Sequence, residues 1–234
     1  MISLSLKQQI AADCRKKAPE EACGFIVDGV LMPCENRHPD PGNHFAIAAE
    51  DYALAEEQGD IECVYHSHSN GNARFSVHDV QVCKQTNLPW FLYELKTSTC
   101  VYADPTGNAP YVGRDWAYGI QDCYSLLRDF YRREFGIRLD DFERGENGEW
   151  ERGGWTMFVD NYENQGFTRV DKPERKGDFL LMQLDADSPN HAGVMTGEGN
   201  VFYHHLMDRQ SQTSIWGNYW AKRTVYVLRH RDLL

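Results

Sequence analysis

Long apolar runs, runs of basic residues, closely paired cysteines and low-complexity tracts are all missing from this chain. Without about 18 consecutive apolar residues, no membrane span is expected. The opening Met1-Ile2-Ser3-Leu4-Ser5-Leu6-Lys7 has no charged start followed by a long apolar stretch, so no signal peptide is expected and the chain reads as cytoplasmic. The net charge is −11, from 35 acidic and 24 basic residues. Acidity without a basic cluster argues against a nucleic-acid partner and against an anionic membrane surface. The seven cysteines (Cys14, Cys23, Cys34, Cys63, Cys83, Cys100 and Cys123) are odd in number and never spaced Cys-x-x-Cys. They suggest neither a disulfide framework nor a zinc ribbon, and they suit a reducing compartment. No internal repeat is found, which excludes a solenoid.

What is present is enough apolar material for two small cores: 234 residues, 41% of them hydrophobic. Asp104-Pro105-Thr106-Gly107-Asn108-Ala109-Pro110 is rich in turn formers and poor in apolar residues, so the boundary is expected there, giving domains 1–106 and 107–234. In the first half, Ser5-x-x-Gln8 is expected to cap a helix carrying Leu6, Ile10 and Cys14 that ends before Pro19. Phe25-Ile26-Val27, Asp28-Gly29, Val30-Leu31-Met32 is a hairpin signal. A helix over 48–58, a strand over 61–65, a helix after Ser76 and strands near 90–95 and 99–103 complete a mixed α/β domain with a central sheet. In the second half, a helix from Cys123, a polar Gly-rich stretch over 144–154 and a set of strands predict an α+β layout, helix against antiparallel sheet. Trp150, Trp155, Trp216 and Trp220 flank that region, as lining of a glycopeptide groove or as core and rim.

Chemistry concentrates in two places. His66-Ser67-His68 is followed, after seven residues, by Ser76-Val77-His78-Asp79. Two histidines two apart on a strand share a face and can share one ion. Ser76 precedes Val77, Val80 and Cys83 at helical spacing, so it suits an N-cap that sets Asp79 in the first turn as a third ligand. Zinc held by two nitrogens and one oxygen keeps a fourth position for water, whose pKa it lowers to about 7. Glu21, expected to open the first strand, is the candidate general base, and Ser76 the candidate oxyanion partner. Separately, Ser76 and Asp79 also make an ordinary capping box, and a bound metal can be purely structural.

Glu-x-x-Gly, His-Ser-His, seven residues and Ser-x-x-Asp together resemble the JAMM (MPN) metallopeptidases, zinc-dependent isopeptidases. That resemblance implies Zn2+ on His66, His68 and Asp79, with Glu21 and Ser76 catalytic.

The second place is Gln121-Asp122-Cys123-Tyr124-Ser125-Leu126-Leu127, which reads as a helix start with Leu126, Leu127, Phe130, Tyr131 and Phe135 on its apolar stripe. A cysteine at a helix N-terminus meets partial positive charge and free amides, which favour thiolate, and a thiolate nucleophile needs an imidazole partner. His191 begins a candidate strand, and Val201-Phe202-Tyr203-His204-His205 returns after Gly197-Glu198-Gly199-Asn200 as its hairpin partner. A helix-borne cysteine, then Lys176-Gly177-Asp178 before Phe179-Leu180-Leu181-Met182, then a strand-borne histidine and a further polar residue, resembles the NlpC family of papain-like cysteine peptidases. The resemblance implies a papain-like fold, Cys123 as nucleophile, His191 as base, His204 as its orienting residue, and the D-γ-glutamyl–diamino acid bond of peptidoglycan stem peptides as substrate.

The order of the two domains in one short chain is similar to that in tail assembly proteins of lambda-like phages. Tyr118-Gly119-x-x-Asp122-Cys123-Tyr124, Pro189-Asn190-His191-Ala192, His204-His205-Leu206 and Leu228-Arg229-His230-Arg231 carry the likeness. It implies a cell-wall endopeptidase half, other phage tail-tip proteins as partners, and a location in the host cytoplasm during assembly and at the virion tail tip. Two further readings stay open: a structural tail module whose sites are not catalytic, and a JAMM isopeptidase whose second domain only binds substrate. The segment from His191 to the His-His pair is one residue longer than the family pattern, so the turn decides which histidine meets His191. A four-residue turn over 197–200 pairs Gly193 with His204, on the face of His191; a three-residue turn pairs His191 with His205 instead. The four-residue turn is expected.

Overall fold

The computed structural model describes residues 2–142, 144 and 157–234. Trp150, Trp155 and most of the Gly-rich stretch lie outside the described residues. The chain divides into two compact units, Met1–Thr106 and Gly107–Leu234. No helix among the described residues is long and apolar enough to cross a membrane.

The first unit runs α1 (Leu4–Lys17), β1 (Cys23–Val27), β2 (Val30–Cys34), α2 (Ala49–Gln58), β3 (Ile61–His68), α3 (Val77–Thr86), β4 (Trp90–Glu94) and β5 (Thr99–Ala103). Its sheet has the order β2-β1-β3-β4-β5. Only β3 and β4 are parallel, and a parallel pair needs a crossover. That crossover contains α3, so the helix start follows the loop that leaves the His-bearing end of β3. Leu6, Ile10 and Cys14 of α1 pack with Ile26, Cys63, Tyr65, Phe91 and Tyr93. By strand alternation His66 and His68 point to the other face.

Two expectations need correction. The cap of α1 is Ser3, whose hydroxyl accepts the Leu6 amide at 3.2 Å; Ser5 lies within the first turn. Starting earlier keeps Leu6, Ile10 and Cys14 on the buried face while Ile2, ahead of the cap, packs on the same cluster. Glu21 precedes β1 because its amide donates to Pro41 O at 2.7 Å, and the ladder begins only at Cys23↔His66. The Asp28-Gly29 turn has positive φ at both positions, 46° and 74°, which suits a two-residue hairpin.

The second unit opens with α4 (Cys123–Phe135) and α5 (Met157–Asn161). Its strands are β6 (Phe167–Val170), β7 (Phe179–Met182), β8 (His191–Met195), β9 (Val201–His204), β10 (Gln212–Ile215) and β11 (Thr224–His230), with α6 (Asn218–Ala221) before the last. The sheet order is β10-β9-β8-β7-β11-β6, antiparallel throughout. One face carries Phe179, Leu181, Ala192, Val194 and Leu228 against Cys123, Leu127, Phe130 and Tyr131 of α4. The opposite face carries Leu180, Met182, Met195, Phe202 and Val227, with Trp216 and Trp220 against it. The architecture is therefore a mixed α/β unit followed by a helix packed on an antiparallel sheet.

Candidate catalytic and metal sites

In the first unit, the pairing Cys23↔His66, extended by two residues, sets Glu21 across from His68. His66 and His68 are buried side by side, with Nε2 to Nε2 at 3.2 Å. Asp79 Oδ2 lies 3.6 Å from each, and Glu21 Oε1 lies 3.9 Å from His68 Nε2. Ligands of a tetrahedral zinc at about 2.0–2.1 Å stand about 3.3 Å apart, so these three donor atoms fit one ion.

The surrounding bonds aim the donors. His68 Nδ1 meets Asn72 O at 3.0 Å; a carbonyl only accepts, so Nδ1 carries the proton and Nε2 offers its lone pair. Asp79 is fixed by the capping box: its Oδ2 accepts the Ser76 amide at 2.7 Å, while Ser76 Oγ accepts the Asp79 amide at 3.1 Å. The Ser76 hydroxyl proton is thus left for another acceptor. Phe45 stacks on His66 at 4.6 Å, with Phe75 and Trp90 beside it, and His66 Nδ1 has no hydrogen-bond partner among the described residues.

Burial lowers the basicity of His66. Burial acts the same way on His68, but Asp79, Asn72 and Glu21 outweigh it and raise that imidazole. Burial alone would raise Asp79; the two histidines and Ser76 instead hold it well below the usual carboxylate range. Glu21 is pushed up to about 7, chiefly by burial, with His68 opposing. A pocket of ≈ 140 Å³ opens onto Glu21, His68, Ser76 and Asp79.

In the second unit, Asp122 caps α4, accepting the Ser125 amide at 2.8 Å. Its other oxygen takes Gly119 N at 2.9 Å and Arg144 Nε at 2.7 Å. Burial works against the charge of Asp122, and Arg144 restores it, holding the carboxyl well below its ordinary range. Cys123 is the first residue of the helix, buried at 4% exposure in the core that includes Ala192. His191 heads β8, and its Nε2 lies 3.2 Å from His204 Nδ1. His204 Nε2 meets Ser214 Oγ at 2.9 Å. The pairing is Gly193↔His204, and Thr196 N donates to Val201 O at 3.0 Å across the turn, so the longer connection closes as the four-residue turn. A Cβ on Gly193 would lie 2.8 Å from Phe202 Cδ2. Trp220 covers the pair, 4.7 Å from His204 and 6.4 Å from His191 between ring centres. His205 turns away from that pair; its Nε2 meets Arg209 O at 3.0 Å, and Trp116 packs on its ring. Burial pushes His191 well below the usual imidazole range, and His204 and His205 each down to about 4.

Comparison with known proteins follows the same division. Residues 3–105 match the family described as prokaryotic homologs of the JAB domain, and residues 111–229 match the NlpC/P60 family. The tail tip assembly protein K of Escherichia phage N15 is 33% identical over 229 residues, covering 96% of this chain and 93% of its own.

The chain belongs to the tail tip assembly protein K family.

The family member from Escherichia phage lambda is also 33% identical, over 190 residues, 79% of this chain and 89% of its own. A solution structure of a Desulfitobacterium hafniense protein aligns at 22% identity and a TM-score of 0.37, over 43% of this chain and 79% of that one.

In this K-family chain, His66, His68, Asp79 and Glu21 come together, and His191 and His204 come together on the Trp220 face of the sheet. Cys123 instead packs with Ala192 and Val194 on the α4 face, so the expected meeting of Cys123 with His191 would have to occur around the end of β8. Two groups at the sites escaped the sequence reading. Ser214 stands on the edge strand β10, which returns to β9 through the loop 205–211 rather than a tight turn. Glu94 closes the apolar run Trp90-Phe91-Leu92-Tyr93, and a lone acid ending such a run was the available signal.

Proposed function

We propose that this tail tip assembly protein carries a peptidoglycan endopeptidase in its second domain and a zinc-dependent isopeptidase-like site in its first, with the domain boundary at 106/107. The observation that carries the first half of this reading is the buried His191–His204 pair, oriented from β10, in an NlpC/P60 domain whose α4 begins with Cys123.

With Ser214 Oγ as acceptor, His204 holds its proton on Nε2 and offers Nδ1 to His191 Nε2–H. His191 Nδ1 is then left as the base. Burial keeps that imidazole neutral, the form able to take the Cys123 thiol proton. The role requires thiol and ring to meet at the end of β8, where His191 is the first residue. The thiolate adds to the D-γ-glutamyl carbonyl, the imidazolium returns the proton to the leaving amine of the diamino acid, and water then hydrolyses the thioester. Free amides at the start of α4 favour the charge that develops on the carbonyl oxygen.

In the first domain, His66, His68 and Asp79 would hold Zn2+, which supplies Lewis acidity and an acidified water. Glu21, raised by burial to about 7, suits a base that takes and returns a proton near neutral pH. Ser76 is left to donate its hydroxyl proton to the substrate oxygen.

The two curated relatives bear names of tail tip assembly. That supports other tail-tip proteins as partners, the host cytoplasm during assembly as the working location, and the virion tail tip as the later one. Mass spectrometry of purified peptidoglycan exposed to wild type and to Cys123→Ala tests the reading. Wild type should release fragments cut between D-glutamate and the diamino acid, and the variant none. Intact stem peptides with both proteins would leave a structural tail module.

A further inference from the structure

Glu94 ends β4 directly across from His68 of β3, with its side chain at 0% exposure. A carboxylate out of water needs donors or a cation. Glu94 forms no ion pair among the described residues and is satisfied by amides and a hydroxyl. Its Oε1 accepts the Gly71 amide at 2.9 Å. Its Oε2 accepts the Thr97 amide at 2.7 Å and the Thr97 hydroxyl at 2.9 Å. One oxygen is therefore spent on the turn after β4, and the other on the loop that leaves β3.

That loop borders the metal pocket, which Asn70 and Asn72 line together with Glu21 and Asp79. Gly71 sits at φ +88°, in the left-handed region that favours glycine. The residue after it, Asn72, presents the carbonyl that receives His68 Nδ1–H. A single peptide step thus joins the Glu94 carboxylate to the bond that decides which nitrogen of His68 bears the proton. The two tautomers of a neutral imidazole are close in energy, and the partner of one nitrogen selects the state of the other.

We propose that Glu94 is a positioning residue for the metal site: it clamps the loop at Gly71 so that Asn72 O holds His68 with its Nε2 lone pair directed at the ion. The proposal rests on the zinc reading of His66, His68 and Asp79. Groups in this outer position typically change metal affinity by about 10–100-fold when removed.

Zinc affinity of the full chain, measured by competition with a chromogenic chelator, tests it. Glu94→Ala should bind zinc about 10–100-fold more weakly. Thr97→Val, which loses only the turn-side hydroxyl, should stay within about twofold of wild type. Glu94→Gln keeps the volume and one acceptor oxygen, so it should show a smaller loss and serves if the alanine variant does not fold. Nitrogen-15 spectra of zinc-free protein give the second readout: His68 as the Nδ1–H tautomer in wild type, and a mixture in the Glu94 variants. Folded Glu94 variants with wild-type zinc affinity and an unchanged His68 would reduce this residue to a turn brace and overturn the proposal. Failure of wild type itself to take zinc would instead overturn the metal reading beneath it.

Discussion

Four histidines make up the two candidate sites, and the two pairs occupy opposite electrostatic surroundings. His66 and His68 share Asp79, and Glu21 stands at the edge of the cluster. Buried nitrogens and a carboxylate that converge in this way are stabilised by a cation. His191 and His204 instead meet each other, a serine and the ring of Trp220. No carboxylate is among the groups that bias them, and burial keeps both neutral. The lesson is that a pair of imidazoles is read by its third neighbour: an acid beside it suits a metal cage, whereas a hydroxyl and an aromatic cover suit a proton relay.

The largest expected effect separates the two sites outright. Cys123→Ala and His191→Ala should each reduce stem-peptide cleavage by about a thousandfold or more, with folded protein by circular dichroism. A zinc chelator should leave that cleavage largely intact. Cleavage that stops with chelator yet survives in both variants would move the activity to the first domain.

Next in size comes the contrast within the metal cage. His66→Ala, His68→Ala and Asp79→Ala should lose bound zinc by elemental analysis. Glu21→Gln should retain zinc and lose peptide hydrolysis by about 100-fold or more, because an amide cannot accept a proton. Equal zinc in all four variants would remove the cage from the comparison.

A smaller effect sharpens the relay. His204→Ala should slow stem-peptide cleavage by about 10-fold or more, since His191 loses the partner that sets its tautomer. His205→Ala should leave the rate within a few-fold, because that ring is held by Arg209 O and Trp116 and takes no part in the bond that sets the His191 tautomer. The reverse ranking in steady-state rates would reassign the third position.

The last expected effect is on stability rather than on rate. His204 and His205 titrate at about 4 in the fold, against about 6.5 when unfolded. The unfolded chain therefore binds more protons between those values, and stability falls as pH drops from about 6.5 to about 4. Below that window the loss is complete; above it the stability is fully present. Each ring contributes at most about 3 kcal/mol across the window. Urea unfolding at pH 7 and pH 5, followed by the second-unit tryptophans, should show the decline, and a flat profile would deny the neutral-relay description.

Local chemistry was the legible part of the sequence. Ser76 with Asp79, Asp28 with Gly29, and Asp122 ahead of Cys123 each announce an element through bonds to near neighbours, and each stands where such bonds predict. The cap at Ser3 was missed because Ser3 and Ser5 offer the same hydroxyl, and only the core contact of Ile2 separates them. Loop length and strand parity were enough to choose His204 over His205 as the companion of His191. Glu94 and Ser214 were beyond reach for another reason. The Gly71 amide that Glu94 accepts comes from the loop after β3, and the His204 ring that Ser214 meets comes from β9, neighbours that the fold brings near and the sequence does not mark.

Gly193 shows how narrow the tolerance of such a site is. It lies between the two histidines across the hairpin, and the room a side chain would need is already filled by Phe202 and Met182. A methyl group added there would push on the Phe202 ring and the end of Met182, the packing beside both histidines, while leaving both rings in the chain. Every group at the site would still be in the chain, and what would change is the packing that spaces them. A substitution can therefore disturb the proposed site without touching any group that would react.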